Sequence, residues 1–458
     1  MINRTALPYP LSSVHLFQSL RHLKLPALLH SGLAGDKKTS RFDIVVADPS
    51  KLIRYQHGIL KIESEGNSGE SIEEIKTVEP ILALAEHFPW QNNNVDARDD
   101  IPFCGGLLGY FSYEALHDLH KVSKKHNEGP GLPSILAGIY DWAIIVDHHK
   151  QSCTLAAQTD CKREKLEKIK HLLSNRTNLQ GESFKITSAF NSNVSNQEYT
   201  QAFKKVMQYI QAGDCYQVNM SQCFQATCEG DSLQAFIKLQ QQANAPFAAY
   251  IEDQNQAVLS FSPERFLQVK NKVAITQPIK GTRARHYDKA KDEKALNDLI
   301  NSKKDKAENL MIVDLVRNDF GKVCRTGSVR VDALYEPQSF ANVHHLVSSV
   351  SGELAQSKDV FNLLNACFPG GSITGAPKLR AMEIIAEVET APRSVYCGSI
   401  AWINTNGDMD SNIAIRTLVR DHDQIYCWGG GGIVADSDAQ LEYQESLDKI
   451  SMFMDALS

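Results

Sequence analysis

No stretch of this 458-residue sequence approaches the about 18 consecutive apolar residues of a membrane span, and Met1 to Pro10 carries no apolar signal core. These absences predict a soluble protein. The ten cysteines form no CxxC pair and no Cys/His spacing of a zinc site. Several, Cys104, Cys367 and Cys427 among them, lie in apolar contexts where a thiol serves as a small core residue. A reducing cytoplasm fits that usage better than a secretory route. Positive charge is scarce as well: 48 Lys and Arg against 54 Asp and Glu leave a net charge of -6. That excludes general nucleic-acid binding, which needs clustered cations to displace counterions. The densest basic run, Lys303, Lys304 and Lys306, is interrupted by Asp305 and reads as a solvated helix face. The glycines 370, 371 and 375, with Ser372 and Thr374, lack the G-x-x-x-x-G-K-[ST] order, so ATP binding is rejected.

What is present suits a folded chain with a large core, 42% hydrophobic and 22% charged. Strand patterns run over 41–46, 139–147, 258–262, 266–269, 273–277, 397–404, 413–419 and 424–429. Helical patterns cover 201–211, 309–317, a segment opened by Pro377, and 439–457. Residues 91–100 read as an exposed loop. Strands outnumber what alternating βαβ units would supply. The expectation is therefore α+β: large antiparallel sheets forming a sandwich core, with helices packed outside. A soft boundary divides the chain into 1–190 and 191–458, two regions expected to pack as one globule.

Three features carry chemistry. On the last helix Tyr443, Leu447, Ile450, Met454 and Leu457 make a core stripe, and Glu442, Glu445 and Lys449 a charged one beside it. The charged stripe suits either a solvated face or two carboxylates aimed at a divalent cation, and spacing leaves both open. The run Gly429 to Gly432 is either a flexible turn or a backbone that lets amides approach an anion. Lys280, between a strand end and a Gly-Thr turn, sits among proline, glycine and two arginines. Neutralising a lysine amine at pH 7 costs about 4.6 kcal/mol from its ordinary pKa of about 10.4, part of which desolvation and nearby cations supply.

Six ordered segments together resemble one family: SPERF (262–266), PIKGTRAR (278–285), ENLMIVDLVRND (308–319), FPGGSITGAPK (368–378), GGGI (430–433) and EYQES (442–446). They are similar to the chorismate-utilising enzymes: anthranilate synthase, aminodeoxychorismate synthase, and the isochorismate and salicylate synthases. The match spans about 195–455, and PFCGGLLGYFSYE and RFDIVVADP extend it into the N-terminal half. Where anthranilate synthase shows alanine, this sequence has Lys280, which resembles the component I branch of aminodeoxychorismate synthase. CYQVNM, with Asn219, points the same way. Cys223 departs from the arginine usual in the family.

The resemblance implies Mg2+ held by Glu308, Glu442 and Glu445, Lys280 as a nucleophile on the chorismate ring, and Glu264 as general acid. It implies Arg416, Lys449 and the amides of Gly430, Gly431 and Gly432 as binders of the enolpyruvyl carboxylate, and His345 and Thr374 as ring contacts. Leu28, Leu29, Ser31, Pro246 and Phe247 match a tryptophan pocket in related enzymes, with core packing an equal alternative. The implied product is 4-amino-4-deoxychorismate, on the way to 4-aminobenzoate and folate. No glutaminase or lyase segment is evident, so the resemblance implies a glutamine amidotransferase subunit as ammonia donor. The rival readings are anthranilate synthase component I and a non-catalytic tryptophan-binding regulator. Intact Lys280, Glu264, Glu308 and Glu445 argue against the second.

Overall fold

Alternation of apolar residues builds two antiparallel sheets in the computed structural model, which describes residues 2–32, 40–66, 69–91, 101–122, 129–174, 181–339 and 343–458. Among these residues one sheet has thirteen strands and the other twelve. Each sheet draws on both halves of the sequence. In the first, Ala27–His30 pairs directly with Phe247–Asp253. In the second, Gly106–Phe111 pairs with Ser399–Asn404.

The period-two pattern sorts side chains between two cores. Along Phe42–Val46, Ile44 and Val46 enter the core between the sheets, while Val45 faces outward. The outer core holds Leu28, Ile144, Phe236, Ile450 and Phe453, covered by helices including Ser232–Ala243 and Ala439–Leu457. This is the α+β sandwich with helices outside. All ten cysteines are buried and unpaired. No helix among the described residues is long and apolar enough to cross a membrane.

Several expected elements shift. The segment 139–147 is not one strand: Ile135–Tyr140 belongs to the second sheet and Trp142–Asp147 to the first, with the chain crossing at Asp141. Both pieces are wholly buried, so the apolar run hides the break. The strand expected over 413–419 is Thr417–Asp421, because Arg416 turns the chain at φ 52°. The helix expected from Asn309 begins six residues earlier, as Lys303–Gly321, capped by the Ser302 hydroxyl on Asp305 N–H. The loop expected over 91–100 falls, from 92, outside the described residues.

The glycine run is neither a turn nor a loop. Gly429 to Gly432 continue the strand Gln424–Ile433, paired with Gln217–Glu229. A Cβ on Gly429 would lie 1.9 Å from the Ser446 carbonyl, so the missing side chain is what lets the last helix rest on this strand. The pairing with Thr417–Asp421 stops at Leu418–Cys427. Beyond it the left-handed Arg416 turns the neighbouring chain away, and among the described residues no strand pairs with the glycine stretch on that side.

Candidate active site

Glu264 follows Ser262, whose hydroxyl donates to the Ile413 carbonyl (2.6 Å) and accepts from Glu264 N–H (3.2 Å). The carboxyl is 7% exposed, and burial pushes its pKa up to about 7, with Lys280 and the Ser372 hydroxyl pulling the other way. Lys280 lies on Ile279–Ala284, beside a bulge opposite Leu346 and His345. At that bulge Gly281 has φ 78°, and a Cβ there would meet Leu299 and Asp305 at 2.8 and 2.9 Å. Burial lowers the Lys280 pKa, opposed chiefly by Glu308 and then Glu264. Its Nζ donates to the Ser372 carbonyl at 3.2 Å, while the Ser372 hydroxyl donates to Glu264 Oε1 at 3.1 Å. One residue thus bridges the two groups that the sequence singled out.

The carboxylates of the last helix come next. Glu442 is 6% exposed and accepts from the Ser437 hydroxyl at 2.6 Å. A Cβ on Gly431 would stand 2.9 Å from Glu442 Oε2 and 3.4 Å from Glu445 Oε1, so glycine keeps the space beside both acids clear. Glu308, across on Lys303–Gly321, has its pKa raised by burial, with Glu445 adding to the rise. Glu442 is likewise raised by burial and by Glu445. Glu445 thus acts on both Glu308 and Glu442, yet among the described residues no three acidic, histidine or cysteine side chains form a ready metal cage. Glu445 is paired with Lys449 at 2.6 Å. A hard cation such as magnesium takes one or two carboxylates and keeps several waters, so oxygen donors of this kind fit it without a closed cage.

Of the expected substrate contacts, Arg416 is the most available. Its guanidinium has no hydrogen-bond or ion-pair partner among the described residues. The side chain keeps exposed area, although surrounding protein desolvates it and lowers its pKa. His345 lies within its field: burial, then Arg416, lower the imidazole to about 4, and Nδ1 pairs with the Thr282 hydroxyl at 2.9 Å. Lys449 is already engaged, donating to the Gly430 carbonyl at 2.8 Å as well as to Glu445. Thr374 is fully buried, with its carbonyl accepting from Asn219 N–H at 2.8 Å. Cys223, standing where an arginine was expected, is a buried thiol opposite Trp428 with its pKa raised well above normal.

A separate cavity of about 380 Å³ is lined by Leu29, Ser31, Pro246 and Phe247, with Arg265 and Met409 among the other walls. Leu28 is not in it. Strand alternation sends that side chain into the outer core, the opposite face from Leu29.

A family model described as chorismate binding enzyme matches residues 31–455. The chain belongs to the chorismate-binding enzymes. Within this family it is 42% identical over 442 residues to aminodeoxychorismate synthase component 1 of Escherichia coli K12, covering 96% of this chain and 95% of that protein. Anthranilate synthase component 1 of Aquifex aeolicus is 32% identical over 449 residues, covering 94% and 89%. The crystal structure of anthranilate synthase component I from Streptococcus pneumoniae matches with a TM-score of 0.80 at 29% identity, over 91% of this chain and 92% of that one.

For this chorismate-binding enzyme, sequence reasoning named Ser372 only as part of a glycine-rich loop. The bridge it makes depends on a carbonyl direction, which no residue pattern encodes. Its place inside the FPGGSITGAPK segment was the available signal.

Proposed function

We propose that this chain aminates chorismate at ring carbon 4, giving 4-amino-4-deoxychorismate, with ammonia from a glutamine amidotransferase subunit. The observation that carries the reading is Lys280, a desolvated amine beside Glu264, an acid with a pKa near neutrality. The greater likeness to a protein named aminodeoxychorismate synthase component 1, 42% against 32%, supports the same branch.

In this reading neutral Lys280 Nζ forms a bond to ring carbon 2, both ring double bonds shift one place away from it, and the carbon 4 hydroxyl leaves as water with the Glu264 proton. Ammonia then bonds to carbon 4, both double bonds shift back, and the carbon 2–Nζ bond breaks. The net change exchanges hydroxyl for amine. Two displacements return nitrogen to the para position, whereas direct attack at carbon 2 gives the ortho product. Glu308, Glu442 and Glu445 would hold Mg2+, which when bound offsets negative charge on the substrate as the hydroxyl departs. Arg416, whose guanidinium has no protein partner among the described residues, binds the enolpyruvyl carboxylate together with the glycine stretch at 430–432 and Lys449, and His345 lines the ring. The product keeps its enolpyruvyl group, so a separate lyase releases pyruvate and 4-aminobenzoate for folate synthesis. A cytoplasmic setting belongs to the same proposal, supported by ten buried, unpaired thiols.

Incubation with chorismate, Mg2+ and an ammonium salt tests this. A product that a lyase converts to 4-aminobenzoate is expected, and fluorescent anthranilate as the main product would overturn it. A second reading concerns the cavity between Leu29, Ser31, Pro246 and Phe247, whose apolar walls and polar rim suit an amphipathic amino acid such as tryptophan. Calorimetric titration with tryptophan checks it, and the absence of binding heat and of thermal stabilisation would reject it.

A further inference from the structure

We propose that Ser372 is a positioning residue for the amination: its hydroxyl decides which Glu264 oxygen carries the proton and stabilises the carboxylate left when that proton departs, and its carbonyl aims the Lys280 amine. This rests on the roles of Lys280 and Glu264 in the reading above.

The geometry begins with how firmly the residue is held. Ser372 is 7% exposed. Next to it, the Ile373 carbonyl accepts from Arg393 Nη1 at 2.9 Å. Arg393 is 1% exposed and locked to Glu389 through Nε (2.9 Å) and Nη2 (2.6 Å). Farther along, Lys378 is tied to Asp319 (2.7 Å) and to the Cys367 carbonyl (2.6 Å), pinning the loop's two ends together. Before Ser372, a Cβ on Gly371 would fall 2.1 Å from Leu315, so the loop lies flush on the helix Lys303–Gly321. Neither the hydroxyl nor the carbonyl can swing far.

Two consequences follow for the chemistry. The Ser372 hydroxyl donates to Glu264 Oε1, so a protonated Glu264 carries its hydrogen on Oε2. When that proton leaves with the departing hydroxyl, the same donor stabilises the new carboxylate. This interaction strengthens as charge develops, which lowers the barrier without tightening substrate binding. On the other side, a neutral amine has two hydrogens and one lone pair. With one hydrogen committed to the Ser372 carbonyl, the lone pair is left for the ring. The charged neighbour of Glu264 is Lys280, on which Glu308, Lys449 and Glu445 act in turn.

The test uses full-length wild type, Ser372→Ala and Ser372→Thr, assayed with chorismate, Mg2+ and ammonium salt across pH. In Ser372→Ala we expect kcat to fall about ten- to hundredfold, the loss of one hydrogen bond to a charged group. KM for chorismate should stay within about twofold, as expected for an interaction made only in the transition state. The basic limb of the kcat profile should move to higher pH, because a carboxylate that loses a donor holds its proton longer. Ser372→Thr keeps a hydroxyl and should recover part of kcat. Unchanged kcat in the alanine variant, a lowered kcat with the limb unmoved, a raised KM at constant kcat, or a threonine variant as slow as alanine would each overturn the role of Ser372. Failure of the wild type to aminate chorismate would instead overturn the reading of the whole site.

Discussion

Replacing Glu264 with glutamine separates what the fold wants from what the reaction needs. The carboxyl is 7% exposed, and burial raises its pKa from 4.5 to about 7. Between those values the folded protein holds a proton that the unfolded chain has released, so stability falls as pH rises through the interval. At roughly 1.4 kcal/mol per pH unit, the ionised carboxylate costs the fold about 3 kcal/mol once pH exceeds 7. Below about pH 4.5 both states are protonated and the cost vanishes. Glutamine is nearly isosteric and cannot ionise. Glu264→Gln should therefore match wild type in urea unfolding at about pH 4 and exceed it at pH 8.5, by up to about 3 kcal/mol. Turnover should fall by about 10²- to 10⁴-fold at every pH, the range for a lost general acid. An unfolding midpoint at pH 8.5 equal to or below wild type would refute the burial argument. Full turnover would refute the catalytic one.

Lys280→Ala should lose para amination by on the order of 10⁴-fold or more, as removal of other covalent nucleophiles does, and mass spectrometry should detect no chorismate-derived adduct on the protein. Full para activity in that variant would remove the covalent step. Arg416→Ala should raise KM for chorismate about ten- to hundredfold, a lost charge-assisted bond, while its thermal midpoint holds because the guanidinium has no protein partner among the described residues. Gly429→Ala puts a Cβ 1.9 Å from the Ser446 carbonyl and should destabilise by about 3 kcal/mol or more, seen as a lowered melting temperature with weakened Mg2+-dependent turnover.

The sequence alone determined the local elements and the chemical candidates. The helix Ala439–Leu457 was legible to the residue because Asp438 caps it and its apolar stripe has one period. Lys280 was legible because a lysine is unusual between a proline, a Gly-Thr turn and two arginines, whereas Glu264 was legible only through the resemblance of SPERF to the family. Tertiary structure decided the rest, since each remaining feature depends on what lies across space. A continuous apolar run conceals the crossing at Asp141, because strands of either sheet bury both faces there. The glycine strand looks like a turn until the last helix is laid against it and explains why no side chain fits. Alternation puts Leu28 and Leu29 on opposite faces, but which face holds the cavity is set by Pro246 and Phe247, more than two hundred residues away along the chain. The bridge from Lys280 through Ser372 to Glu264 joins three segments by a carbonyl and a hydroxyl, and backbone direction at long range leaves no trace in residue spacing.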